Sequence, residues 1–158
     1  MNTEESIRPI GTIELVIEYD NGKEEKRIID NTVLRTGRNA LASSLANEFG
    51  DTYDFFVSRM LFGDDGTNAG VPKFVNSDRN GLFGITRANK SVISIIDVNL
   101  PSQVIFTSVL TFEEANGVAL NEMALQMNDG DLYSMVTFAD LTKTSSMQIT
   151  FNWRINFV

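Results

Sequence analysis

The acidic side chains are the first residues of this chain whose types and spacing suggest chemistry. Paired carboxylates occur at Asp64-Asp65 and at Glu113-Glu114. Hydrolysis of a glycosidic bond needs two carboxyl groups that face each other across a cleft, one of them with a raised pKa. Neighbouring residues in a loop do not provide that arrangement by themselves. The sequence therefore predicts no catalytic carboxylate pair.

The segment GDDGTN, residues 63–68, is acidic enough to suggest a calcium loop. An EF-hand loop needs oxygen ligands at alternating positions and a glutamate at the twelfth position. The twelfth residue counted from Asp64 is Val75, so the pattern fails. Glycine next to aspartate and asparagine is typical of turns, and we predict a turn without a metal.

Two residue types that the chain lacks narrow the chemistry further. Its 158 residues include neither histidine nor cysteine. The commonest general base and metal ligand is therefore missing, and disulfides and thiolate metal sites are excluded. Catalysis by lysine or by carboxylates alone has no positive support in the sequence. We predict a protein that is not an enzyme and that needs no cofactor.

The charge of the chain argues against two classes of partner. Its formal net charge is -8, and an acidic surface repels the phosphates of nucleic acids. No apolar run approaches the roughly 18 residues that a membrane span requires. Residues 1–5, MNTEE, lack the basic start and the apolar run of a signal peptide. We expect an acidic, soluble domain that binds neither nucleic acid nor a membrane.

The chain begins with a hairpin pattern. Apolar residues alternate over 12–19, which predicts a half-buried strand. Asn21-Gly22 then predicts a tight turn of type I′, because these residues tolerate the two positive φ angles that this turn needs. The charged return strand over 24–29 suits an exposed sheet edge.

The period changes after the hairpin. Apolar residues four apart predict one amphipathic helix over 36–49, with Thr36 as its N-cap and Gly50 just beyond its end. A strongly apolar stretch over 55–62 predicts a buried strand.

Strand patterns separated by glycine and aspartate turns fill the second half. They cover 91–100, 104–112, Ala119–Met127, 132–138 and Met147–Phe157. In the closing strand every odd position is apolar, and one of these is the only tryptophan, Trp153. The spacing predicts a mainly β protein, an antiparallel, jelly-roll-like β-sandwich with one amphipathic helix packed on it. We predict a single domain over 1–158, with 1–11 as a candidate N-terminal arm.

The C-terminal third resembles the end of small virion proteins from tailed bacteriophages. Members of that group end in a Glu-hydrophobic-small-Leu strand, an Asp-Gly hairpin, a return strand with Phe, a Lys-Thr turn and a last strand with a central Trp. The matching positions here are 122–125, Asp129-Gly130, Phe138, Lys143-Thr144 and 149–157. The front half is similar in outline at 31–34, 37–45 and 60–67, although Asp64 and Asp65 stand where glycine or small residues are usual.

This resemblance implies a non-enzymatic structural component of a tailed-phage virion, assembled in the host cytoplasm. Such a subunit docks on other virion proteins as a capsid decoration, neck or collar, or fibre-adaptor subunit, and homo-oligomers are expected. We expect the loop over 63–81 and the arm over 1–11 to make the contacts. The candidate contact residues in the loop are Asp64, Asp65, Thr67, Asn68, Asn76, Asp78, Arg79 and Asn80.

A second reading is a receptor- or carbohydrate-binding module of a tail fibre or baseplate. Its support is a set of aromatic side chains on which a sugar could stack, at Tyr53, Phe55, Phe74 and Trp153. Trp153 lies in the apolar register of its strand, which predicts a place in the core. The structural role is therefore the preferred expectation.

Overall fold

The structure is a computed structural model, and it describes residues 8–46 and 55–158. One helix, α1 at Arg35–Ala46, and a series of strands make up the fold. The strands are β1 Pro9–Tyr19, β2 Glu24–Asp30, β3 Thr32–Val33, β4 Val57–Gly63, β5 Thr67–Asn68, β6 Val71–Pro72, β7 Ala88–Ser91, β8 Ile93–Asp97, β9 Leu100–Leu110, β10 Ala119–Met127, β11 Leu132–Thr142 and β12 Met147–Phe157.

Two five-stranded antiparallel sheets pack against each other. The first has the strand order β2-β1-β12-β9-β8, and the second has the order β3-β11-β10-β4-β7. The chain passes from one sheet to the other between β2 and β3, β7 and β8, β9 and β10, and β11 and β12. The predicted antiparallel β-sandwich with one helix is confirmed.

The core lies between the sheets and is made of alternate side chains from the long strands. Its fully buried members include Ile13, Leu15 and Ile17 of β1, Met60 and Phe62 of β4, Met123 and Leu125 of β10, and Ile149, Phe151, Trp153 and Ile155 of β12. The rings of Phe62 and Phe151 meet across the two sheets, with centroids 4.7 Å apart. Strand β12 lies in the middle of its sheet, between β1 and β9. Its odd positions from Met147 to Ile155 are buried, so the predicted alternation of core-facing side chains is confirmed.

The first hairpin forms as predicted, but its turn is of another type. Gly22 has a φ of 84°. Among the non-glycine residues of the described part of the chain, only Ala69 and Ala115 have a positive φ. Asn21 therefore lacks the second positive φ that a type I′ turn needs. The N–H of Gly22 donates to the carbonyl of Tyr19 at 2.9 Å. This bond and the positive φ of Gly22 are typical of a three-residue hairpin loop that ends in a left-handed glycine.

Helix α1 begins before the predicted cap. Thr36 lies inside the helix, and its hydroxyl donates to the carbonyl of Leu132 on β11. The prediction of Thr36 as N-cap is wrong. The helix begins one residue earlier, at Arg35, and the hydroxyl of Thr36 bonds to β11 instead of capping the helix. The helix is described to Ala46, so the predicted end near Gly50 lies outside the described residues.

The predicted strand over 91–100 is divided among three strands in two sheets. Val92 is the crossing point, because β7 pairs with β4 in the second sheet and β8 pairs with β9 in the first. A turn at Val98 and Asn99 then separates β8 from β9, and the side chain of Asp97 accepts a hydrogen bond from the N–H of Asn99 at 2.8 Å. Such a side-chain bond favours a turn over a continuous strand.

The candidate N-terminal arm over 1–11 overlaps the first strand. Strand β1 begins at Pro9, opposite Phe157 of β12, so residues 9–11 belong to the sheet. Residues 1–7 of the arm lie outside the described residues.

Candidate docking surfaces

Strand β10 carries a buried carboxylate that holds the loop after β4. Glu122 is fully buried, and its Oε1 accepts hydrogen bonds from the backbone N–H groups of Asp65, at 3.3 Å, and Gly84, at 3.0 Å. Its Oε2 accepts from the N–H of Phe83 at 2.6 Å. Hydrogen bonds to a charged acceptor are stronger than those between neutral groups. Both ends of the loop over 64–84 are therefore tied to the middle of the second sheet.

Asn121, the preceding residue, holds the same loop through its side-chain amide. Its Oδ1 accepts from the N–H of Gly66 at 2.6 Å. Its Nδ2 lies 3.2 Å from the carbonyl oxygen of Asp64 and 3.2 Å from Thr67 Oγ1. The same nitrogen donates to the carboxylate of Asp140 on β11 at 2.9 Å. The amide thus connects the loop with two strands of the sheet.

Two consecutive side chains of β10 reach one loop because the strand is irregular at this point. Successive side chains of a regular strand point to opposite faces. The register between β10 and β11 shifts between Leu120 and Glu122, and a β-bulge of this kind redirects side chains. We call Asn121 and Glu122 the loop anchor.

A methyl group at Gly66 has no room beside the loop anchor. The added Cβ would lie 2.3 Å from the backbone oxygen of Asn121 and 2.7 Å from the Cβ of Glu122. Since a backbone oxygen cannot rotate away, we expect Gly66→Ala to lower the free energy of unfolding by about 1–3 kcal/mol in urea denaturation. Gly81→Ala is the matched control, because its Cβ would meet no atom within 4 Å. Equal losses in the two variants would contradict the close packing at Gly66.

The carboxylate of Asp140 gives this region a dependence on pH. Hydrogen bonds from the side chains of Asn121 and Thr67 hold the pKa of Asp140 below its usual value of 3.8. A carboxyl whose pKa is lower in the folded state stabilises the fold above its unfolded pKa, and this contribution is lost as the pH falls through the folded value.

We therefore expect Asp140→Asn to be less stable than the wild type at pH 6, because the carboxylate is the better acceptor for both bonds. The difference should shrink as the pH falls below 3.8. Urea denaturation at pH 6 and at acidic pH measures it, with the exposed turn residue Asp20 changed to asparagine as the control. If the stability difference between Asp140→Asn and the wild type instead grew as the pH fell, the lowered pKa of Asp140 would be contradicted.

The outside of the loop is fastened by ion pairs and by a stacked arginine. The ion pairs join Arg87 Nε to Asp64 at 2.8 Å, Lys73 Nζ to Asp65 at 2.9 Å and Arg35 Nη2 to Asp78 at 2.7 Å. Arg79 donates to the carbonyl oxygens of Gly81 and Leu82, and its guanidinium carbon lies 3.7 Å from the centroid of the Phe83 ring. Exposed ion pairs of this kind add little stability each, but they fix the path of the loop.

Most of the eight candidate contact residues thus have contacts within the protein. The side chains engaged in this way are those of Asp64, Asp65, Thr67, Asn76, Asp78 and Arg79. Asn68 and Asn80 are exposed. The loop also exposes apolar side chains, and the ring of Phe74 is 86% exposed. That the loop contacts a partner stays a prediction. In such a contact the loop would already be held in shape by its hydrogen bonds and ion pairs to the rest of the protein.

The sequence patterns did not reveal an exposed apolar edge at β8. Five large apolar residues within positions 93–100 are between 54% and 88% exposed, namely Ile93, Ile95, Ile96, Val98 and Leu100. Strand β8 pairs with β9 and is the last strand of its sheet. An exposed apolar patch on a folded protein marks an interaction surface. We call residues 93–100 the β8 edge.

A cavity of about 410 Å³ opens beside the β8 edge. Ile96 and Ser94 of β8 line it, together with apolar residues of α1, β4, β9 and β12 that include Leu41, Phe106 and Phe157. Tyr133 also lines the cavity, and burial raises its pKa to about 12. The apolar surface of the β8 edge thus continues into the end of the sandwich.

Lys143 is the buried cation of the described structure, and it braces a turn. Its Nζ donates to Asn116 Oδ1 at 3.1 Å and to the carbonyl oxygen of Thr144 at 2.9 Å. Burial lowers its pKa, and the nearby charge of Glu114 partly opposes that shift. The side chain has no exposed surface, so it joins the turn before β10 to the segment between β11 and β12.

Phe55, Phe74 and Trp153, three of the aromatic residues predicted as candidates for sugar stacking, do not form one surface. Trp153 is fully buried in the core. Phe55 lines the cavity beside β8, whereas Phe74 lines a different cavity, next to Lys73 and Thr137. Tyr53 lies outside the described residues.

The described residues contain no cluster of three or more acidic side chains that could hold a metal ion. None of the helical structure in these ranges is long and apolar enough to cross a membrane. The geometry that stands out is the β8 edge and the loop braced by the loop anchor. Comparison of the chain with protein-family models, with curated proteins and with solved structures finds no match.

Proposed function

We propose that the protein is a non-enzymatic structural subunit of a tailed-phage virion. It docks on other virion proteins as a capsid decoration, neck or collar, or fibre-adaptor subunit, after assembly in the host cytoplasm. The observation that carries the docking role is the β8 edge, where five large apolar side chains are exposed, three of them on the edge strand β8 itself. An edge of this kind invites pairing with another chain unless it is covered.

The braced loop supports the same role. Surfaces that bind without a large change of shape are held rigid before binding. The loop anchor supplies backbone hydrogen bonds at both ends of the loop. Lys73, next to the exposed Phe74, donates its N–H to the carbonyl of Gly66, and its own carbonyl accepts from the hydroxyl of Thr137. The sequence resemblance to small virion proteins adds the context of the particle.

The test is the composition of purified particles. We expect quantitative mass spectrometry of density-purified virions to find the protein in a fixed number of copies per particle. Particles grown with an early stop codon in its gene should lack it and should be defective or less stable. A protein that is abundant in the lysate and missing from purified particles would rule out the virion role.

A second candidate function is a receptor- or carbohydrate-binding module, and the exposed ring of Phe74 favours it. Aromatic rings stack on apolar ligand faces. Glycan-array binding that Phe74→Ala abolishes would support this function. Ile28→Ala, at another strongly exposed apolar residue, on β2, is the control, and an array without any binder would argue against the module.

A further inference from the structure

The β8 edge is apolar on both faces of the sheet. Ile93 and Ile95 lie opposite Thr107 and Ile105 of β9, on the outer face. Ser94 and Ile96 alternate with them and line the cavity between the sheets. Within residues 8–46 and 55–158, no strand lies beside the backbone groups of β8 that point away from β9. Both the side chains and the backbone of this strand are therefore available to a second strand.

The opposite edge of the same sheet is built differently. Strand β2 has the sequence EEKRIID, and its exposed positions carry three charged residues, Glu24, Lys26 and Asp30, and one apolar residue, Ile28. Charged side chains at an edge discourage pairing with another chain. The only charged residue of β8 is Asp97, at the end of the strand, where it accepts from the N–H of Asn99. One edge of the sheet is thus protected and the other is not.

We propose that the β8 edge pairs with the β8 edge of a second copy of this chain. The two strands run antiparallel about a two-fold axis, and they join two five-stranded sheets into one continuous sheet. This inference rests on the docking role proposed above and names its first partner. A two-fold contact uses the same patch on both copies, and an antiparallel strand edge is self-complementary because facing residues exchange N–H and carbonyl groups.

The apolar side chains of the β8 edge would pack sideways against their equivalents in a pair of copies. The outward surfaces of Ile93 and Ile95 stay on the outside of the joined sheet, so the contact is smaller than the total of about 1,200–2,000 Å² that a stable interface buries, and we expect the dimer to dissociate on dilution. In the pair, the isoleucines of one β8 strand lie opposite residues of the other β8 strand, which has the same sequence, ISIID. Apolar pairs that face each other across two strands stabilise a sheet.

The charge of the chain also favours this location. Each copy carries a formal charge of -8, so two copies repel wherever their acidic surfaces meet. Within the β8 edge the one charged side chain is that of Asp97. Antiparallel pairing sends the two Asp97 carboxylates to opposite ends of the contact. Salt screens the remaining repulsion between exposed charges, and added sodium chloride should therefore strengthen the dimer.

The experiment measures the mass of the purified full-length protein by analytical ultracentrifugation over a range of micromolar concentrations. We expect a monomer–dimer equilibrium in the wild type. Ile95→Lys places a charge in the contact and should raise the dimer dissociation constant at least about tenfold. Ile28→Lys is the matched control, because Ile28 is 74% exposed on the other edge strand, and it should dimerise like the wild type.

A single-cysteine scan checks the geometry independently of affinity. The natural chain has no cysteine, so each variant carries one thiol. Two-fold antiparallel pairing makes one residue of β8 face its own equivalent, with Cβ atoms about 4.5–5.5 Å apart. Mild oxidation should therefore link copies at one position among Ser94, Ile95 and Ile96, and should leave Ile28→Cys unlinked.

Three results would overturn the pairing: a wild type that stays monomeric, a dimer that persists in Ile95→Lys, or equal cross-linking at position 28. A monomeric protein that is still found in purified particles would reject the β8 pair and leave the virion role intact. A dimer through β8 in a protein that is missing from particles would support the pair and reject the virion role. Thermal melts of each variant confirm that it is folded.

Discussion

Replacing Trp153 with alanine is expected to lower the free energy of unfolding by about 3–5 kcal/mol, as large core truncations do. Trp153 is fully buried, and it lies between Ile13 of β1 and Phe106 of β9 in the central row of the first sheet. The lost indole would leave a cavity, because strands paired on both sides cannot close around it. Urea denaturation followed by circular dichroism measures the loss.

Two variants make this result specific. Trp153→Phe keeps an aromatic ring in the core and removes an indole N–H that is buried without a hydrogen-bond partner, so we expect it to lose less than the alanine variant. Arg154→Ala changes the next residue, which is exposed, and should be nearly neutral. A loss for Trp153→Ala as small as that for Arg154→Ala would place the indole at the surface and favour the binding-module function.

The closing strand could be predicted because its pattern is local. Alternation with period two reports directly which side chains face the core when one face of a sheet is buried. The burial of β12 follows the odd positions from Met147 to Ile155. The paired carboxylates at Asp64-Asp65 were correctly expected to lie in a loop. Features of this kind depend on neighbours along the chain.

The β8 edge shows where local patterns stop being informative. An apolar run indicates a strand, but it does not tell whether another strand covers it. The side chains of β8 are exposed because the chain crosses to the other sheet at Val92 and leaves β8 as the last strand. The order of the strands in the sheet therefore determines that exposure, and a short stretch of sequence does not reveal this order.

The buried polar residues illustrate the same limit. In the sequence Asn121 is a polar exception in an apolar strand, and Lys143 stands next to a turn. Both are buried in the structure. Each has a hydrogen-bond partner far away in sequence: Gly66 is 55 residues from Asn121, and Asn116 is 27 residues from Lys143. Hydrogen bonds from distant segments allow polar groups into the interior, and the sequence does not announce them.

The loop anchor leads to a second large effect, in Glu122→Ala. The change removes the acceptor of three backbone N–H groups, those of Asp65, Phe83 and Gly84. A buried donor left without a partner costs about 1–3 kcal/mol, and because these three bonds are only part-buried, water recovers part of this. We expect a loss of about 3–5 kcal/mol in the free energy of unfolding. Glu113→Ala, at an exposed acidic residue, is the control.

Hydrogen exchange separates this effect from a general weakening of the fold. If Glu122 holds the loop, the amide of Phe83 or that of Gly84 should lose protection in Glu122→Gln, since the two bond to different carboxylate oxygens, while amides of β1 and β12 keep theirs under native conditions. Glutamine has nearly the same shape but replaces one acceptor oxygen by an amide that cannot accept, so one or more of the three bonds must break. Unchanged protection at Phe83 and Gly84 would mean that the loop holds its shape without the carboxylate. Selective loss there, with β8-dependent dimerisation retained, would show that the two docking surfaces are built independently.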